Sequence, residues 1–128
     1  MSSVAIYKIA GENINYTGLL TNLDFDVFSL DEFSQIMDLA ELDLLLCDGK
    51  FFINLPKKTK NQLRDKFKTL KIVLTGEFSD SYLFSKALME DVDDFIVVPF
   101  GYKECLNMVE RLGFSYSKDV LKHESFEE

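Results

Sequence analysis

Leu42-Asp43-Leu44-Leu45-Leu46-Cys47-Asp48 is a mostly apolar run closed by a carboxylate. A short run of this kind, with little polar alternation, suits a strand covered on both faces, and such strands belong to parallel sheets. Working outward, Val4 to Ile9, Phe25 to Ser29, Lys71 to Thr75 and Phe95 to Val98 share its character. Between these strands lie helix candidates at about Asn13 to Asn22, Asp31 to Ala40, Thr59 to Thr69, Ser79 to Glu90 and Tyr102 to Leu112. Ser79 and Asp80 can open the fourth of these, and Gly113 follows the fifth as a left-handed stop. Leu83, Phe84, Ala87 and Met89, and likewise Leu106, Val109 and Leu112, supply the apolar faces that pack on a sheet. The alternation predicts a (βα)5 doubly wound parallel sheet, an α/β fold with helices on both faces. In such sheets function gathers outside the carboxyl ends of the strands, where strand order reverses. Those ends are Lys8-Ile9, Cys47-Asp48, Thr75-Gly76 and Val98-Pro99.

Thr75-Gly76 closes the fourth strand, and Asp93-Asp94-Phe95-Ile96-Val97-Val98-Pro99-Phe100 carries the fifth and its turn. Together with the run ending at Asp48, these segments resemble three successive strand ends of the receiver domains of two-component response regulators. Asp48 and Thr75 are 27 residues apart, and Thr75 and Val98 are 23 apart, close to that family's separations. The resemblance covers Val4 to about Leu112 and implies the CheY- and flavodoxin-like three-layer sandwich. It departs from the family between Val27 and Leu42, which is a few residues short, and at Pro56, which lies late. By resemblance Asp48 stands where the family carries its phosphoacceptor. Thr75 matches the switch hydroxyl that bonds the phosphoryl group, and Phe95 the switch aromatic. Family receivers also use two acids after the first strand to hold Mg²⁺, and a lysine just before the Pro-Phe pair. Here those positions read Lys8, Ile9 and Val98, so the resemblance is to an atypical receiver. It further implies a cis bond before Pro99.

Phosphoryl transfer to a carboxylate brings negative oxygens toward a negative group, so it needs a divalent cation held by carboxylates and a fixed positive charge. Asp48 is the one acid this chain supplies, and Mg²⁺ gives up its water reluctantly, so no cofactor is expected. Lys8 is expected to place an ammonium beside Asp48, substituting for the metal or the missing lysine; the bland alternative is a side chain snorkelling to solvent. For Thr75 the bland reading is a strand-end hydroxyl bonded to backbone, and for Phe95 an ordinary core aromatic.

The chain has 128 residues, 47% of them apolar and 28% charged, which suits one soluble globular domain. Residues 1–113 are assigned to the receiver-like domain and 114–128 to a C-terminal tail or the start of a linker. No run approaches a membrane span, and the N-terminus lacks a secretion signal, so a cytoplasmic location is expected. The net charge of −8 argues against nucleic-acid binding by this segment alone. Seven of the fourteen basic residues nevertheless cluster at Lys57, Lys58, Lys60, Arg64, Lys66, Lys68 and Lys71, as a solvated flank or a docking stripe. Cys47 and Cys105 read as reduced core residues. His123 has no partner at metal-ligand spacing, and Ala10-Gly11-Glu12-Asn13 is no phosphate cradle. No catalytic constellation emerges, so an enzyme is not expected.

The favoured function is a phosphorylation-independent signalling, interaction or dimerisation module, one form of which is the regulatory part of a DNA-binding response regulator. The alternatives are a genuine phosphoacceptor served on Asp48 by a histidine kinase, and a small-molecule module reusing the vacated pocket. By resemblance the partner surface is the fourth helix, fifth strand and fifth helix, used for a homodimer. Lys86, Asp91, Asp93, Asp94, Tyr102, Lys103 and Arg111 fall there, with both charge signs available for cross-pairs and Leu83, Tyr102 or Leu106 as apolar support.

Overall fold

The computed structural model describes residues 2–9, 14–77 and 79–114. Five parallel strands form one sheet: β1 (Ser3–Tyr7), β2 (Asp26–Ser29), β3 (Leu44–Asp48), β4 (Lys71–Glu77) and β5 (Asp94–Val98), in the order β2-β1-β3-β4-β5. The helices are α1 (Tyr16–Asn22), α2 (Gly49–Ile53), α3 (Lys57–Lys66), α4 (Ser81–Leu88) and α5 (Tyr102–Arg111). This is the doubly wound α/β fold expected from the apolar runs.

The sheet's two faces explain why those runs show so little alternation. Val4, Ile6, Leu44, Leu46 and Val73 pack with Leu20 of α1 and Met108 and Val109 of α5. Their neighbours Ala5, Tyr7, Leu45, Cys47, Ile72 and Leu74 turn the other way and pack with Leu63 of α3 and Ala87 of α4. Every one of these strand residues meets a core, so each of them is apolar. Cys47 and Cys105 are buried free thiols in opposite cores, as their sequence settings suggested.

Three elements differ from expectation. The segment taken as a helix over Asp31 to Ala40 is a 3-10 turn, Phe33–Asp38, which buries Ile36 alone. It is opened by a reciprocal Glu32–Gln35 capping box, and Ile36 with the partly buried Phe33 is too little apolar surface to hold a full amphipathic helix on the sheet. Immediately after β3 comes the unexpected α2, which the Asp48 carboxylate caps. Finally, β1 stops at Tyr7 because Lys8 enters the left-handed region at φ 54°. The proposed ends of α4 and α5 hold: Asp80 is the N-cap of α4, and Gly113 takes φ 82° beyond α5. The expected start of α1 at Asn13, the cradle candidate 10–13, His123 and the tail beyond Phe114 lie outside the described residues.

Candidate functional site

The strand order reverses between β1 and β3, so the ends of these strands, with β4 beside them, form the crevice where such folds place their sites. Asp48 and Thr75 are register partners across β3 and β4. Asp48 is half-buried, and one of its carboxylate oxygens accepts the Phe51 N–H at 3.0 Å, the N-cap bond of α2. The Thr75 side chain is fully buried, and its hydroxyl donates to the Cys47 carbonyl at 3.4 Å. That is the backbone-bonded arrangement weighed from sequence as the bland alternative. The Cys47 thiol is pushed up far above its usual range, first by burial and then by the Asp48 charge, with Lys8 pulling the other way.

Lys8 makes no ion pair with Asp48, which corrects the sequence expectation. Its ammonium instead lies 5.2 Å from the centre of the Phe51 ring and 5.7 Å from that of Tyr7. The centres of these two rings are 4.9 Å apart, and Phe33 closes the cluster at 5.3 Å from Phe51. The left-handed backbone at Lys8 re-aims the side chain, and the aromatic faces then offer the cation a partner. No periodicity signals this arrangement; Phe51 joins it because Asp48 starts a helix there.

The four residues grouped as a pocket separate. Lys8 and Ile9 line a recess of about 290 Å³ with Asn15, Thr17 and Ser29, on the β1–β2 side of the crevice. Val98 is a core residue, packed with Ile96 and Phe100. Pro99 is exposed after a cis peptide bond, the isomer that the resemblance implied. Phe95 is half-buried and lies against Phe84 of α4, ring centres 4.4 Å apart.

On the proposed partner face, several charges are already engaged within the chain. Arg111 donates to one oxygen of Asp94 through Nε at 3.0 Å and a terminal nitrogen at 2.7 Å. Asp93 accepts the Ile72 N–H at 2.7 Å, and the Asp91 carbonyl accepts from Arg64. Asp94 and Arg111 are therefore paired within the chain. Leu83 and Leu106, expected as apolar support, are buried, whereas Tyr82, Leu88 and Met89 are 67%, 87% and 83% exposed. Lys86 lies over the Tyr82 ring, and Lys103 is exposed beside the half-buried Tyr102.

The basic stripe also divides. Lys60 pairs with Glu90 at 2.7 Å, Arg64 donates to the carbonyls of Leu70 and Asp91, and Lys66 donates to that of Met37. Lys57, Lys58 and Lys68 are exposed.

A Mg²⁺ ion of the kind receivers use would need several hard oxygen donors converging on Asp48. Among the described residues, positions 8 and 9 bring an ammonium and an alkyl chain, and one Asp48 oxygen is engaged by the Phe51 N–H, so these residues do not supply such a donor set. Among the described residues no group of three or more His, Cys, Asp or Glu side chains is placed to hold a metal. Nor is any described helix long and apolar enough to cross a membrane.

No family model matches the chain, and no curated protein matches it by sequence. Solved structures do resemble it. The Vibrio cholerae chemotaxis protein CheY4 is 13% identical, with a TM-score of 0.65 over 88% of this chain and 98% of that one. A CheY-like response regulator from Mesorhizobium loti is 18% identical, with a TM-score of 0.59 over 87% and 98%. The CheY-like protein TadZ from Pseudomonas aeruginosa is 17% identical, with a TM-score of 0.57 over 92% and 98%. At these identities the likeness is one of fold: the chain has the CheY-like receiver fold.

Proposed function

We propose that this chain is an atypical receiver-like signalling module that works without phosphoryl transfer and associates with a second copy through α4, β5 and α5. The observation that carries the reading is the state of Asp48. Its carboxylate caps a helix, and a lysine stands where a receiver keeps a metal-binding acid. A module of this kind needs no kinase to present its surface, and it can serve as the regulatory part of a DNA-binding regulator.

The contact is centred on Leu88, the exposed last residue of α4, which lines a recess with Phe84, Asp94 and Phe95, because neighbouring acids such as Asp94 are satisfied inside the chain. An interface centre requires exposed apolar side chains, with charged groups at its rim. Sedimentation of the unmodified protein, with no phosphoryl donor present, is expected to give a homodimer of micromolar strength. Leu88→Glu is expected to give a folded monomer. A native chain that stays monomeric at high concentration, or a dimer indifferent to Leu88→Glu, overturns the self-association and directs attention to a different partner.

A further inference from the structure

Residues 50–71 hold eight of the chain's fourteen bases and one of its twenty-two acids, so a strongly basic segment sits in an otherwise acidic molecule. Part of that charge is engaged inside the fold. Lys60 and Arg64 tie α3 to Ile53, Glu90, Leu70 and Asp91, and Lys50 pairs with Asp80 at 3.3 Å. Helix positions three or four apart share a face, so Lys57, Lys60 and Arg64 form one row along α3. Lys57 opens that row with Lys58 beside it; both are exposed, and neither forms an ion pair among the described residues.

The row starts beside a recess of about 280 Å³ lined by Ile53, Asn54, Tyr82, Lys86, Met89 and Glu90. Lys60 marks the junction, since its ammonium bonds the Ile53 carbonyl at 3.4 Å and Glu90 at 2.7 Å, and Lys57 stands one turn before it. Tyr82 and Met89 are 67% and 83% exposed, and the Lys86 ammonium lies 5.7 Å from the centre of the Tyr82 ring. Exposed cations and two large exposed apolar side chains therefore meet at one recess. Of its six lining residues only Glu90 also lines the recess beside Leu88, so self-association on that flank of α4 leaves this one open.

We propose that the start of α3 and this recess form a docking surface for an acidic segment of a partner protein, one that carries Asp or Glu beside an apolar side chain. Lys57, Lys58 and Lys86 meet the carboxylates, and the apolar side chain enters between Tyr82 and Met89. A long nucleic acid is the poorer fit, because a continuous polyanion would run from this small footprint onto neighbouring acids such as Asp80, Glu90 and Asp91.

The probe is a fluorescent peptide in which Glu and Asp flank one Leu and one Phe, titrated with the full chain and followed by anisotropy. Saturable binding with a Kd of about 10 to 100 µM is expected at about 0.15 M salt, weakening as salt rises. Lys57→Glu with Lys58→Glu is expected to weaken it at least about tenfold, and Met89→Ser about threefold. Lys68→Glu controls for net charge: it lies roughly 15 Å from Lys57 along α3, beyond the Debye length, and should change the Kd less than about twofold. All four positions are exposed, so the variants are expected to keep the native thermal midpoint. Leu88→Glu is expected to leave peptide binding intact, so that failure of the self-association and failure of this surface are read separately. Absence of saturable binding overturns the proposal, as does equal binding of a peptide with Gln and Asn in place of its acids, or a loss in Lys68→Glu matching that of the double reversal. Tighter binding of a single-stranded oligothymidylate than of the peptide overturns it in favour of nucleic acid. Sedimentation in which the double reversal abolishes native self-association overturns it in favour of a second copy.

Discussion

Asp48 is the residue on which two readings of the chain meet, because a strand-end aspartate can accept a phosphoryl group or cap a helix. The Phe51 N–H bonds one of its oxygens, so it serves the second role. Asp48→Ala should therefore cost about 1 kcal/mol in urea unfolding, the usual loss of an N-cap, while Asp48→Asn should cost clearly less, since an amide oxygen also caps. Lys8 rests on Tyr7 and Phe51 and makes no ion pair with Asp48, so Lys8→Met should lose about 0.5 to 1 kcal/mol as an exposed cation over a ring. The double change should be additive within about 0.5 kcal/mol; a larger coupling would restore the ion pair first expected from sequence. Asp80 responds to pH. Its carboxyl is held below the usual range, first by the Leu83 N–H and further by Lys50. A folded value below the unfolded one gives stability that is present above about pH 4 and lost as pH falls through the folded value. The difference in urea midpoint between the native chain and Asp80→Ala should accordingly shrink on acidification below about pH 4.

At the scale of elements, strands were easier to read than helices. Both faces of the sheet are covered, so Leu44 to Cys47 had to be apolar throughout, and that run is visible without any partner. The cap Asp80 and the stop Gly113 were legible because their chemistry is local. The short α2 was not, since five residues carry no helical period and Asp48 looked like the end of something rather than the start. Within the candidate site, Asp48 and Thr75 were each legible as strand ends, whereas the Lys8 contact depends on a left-handed backbone that no side-chain pattern announces. The basic stripe on α3 shows a further limit: equal charges in sequence have unequal duties in space. Arg64 ties α3 to the carbonyls of Leu70 and Asp91, so Arg64→Ala should cost about 1 to 3 kcal/mol by stranding those acceptors. Lys58→Ala, at an exposed position, should stay within about 0.5 kcal/mol of the native chain in the same denaturation series. Equal losses would mean that the stripe acts as one unit.

Across the whole molecule, the fold gathers the strand ends of its candidate site at the carboxyl end of the sheet, and Tyr82, Leu88 and Met89, on α4 or just after it, are exposed. Two copies each carrying a net charge of −8 repel, so the proposed association through Leu88 should tighten as salt screens that repulsion, the opposite of an interface built on ion pairs. The most direct test is incubation of the native chain with acetyl phosphate and Mg²⁺, followed by intact-mass spectrometry and hydroxylamine treatment. The account predicts no stoichiometric adduct; a hydroxylamine-labile phosphate on Asp48, absent from Asp48→Asn, would contradict it.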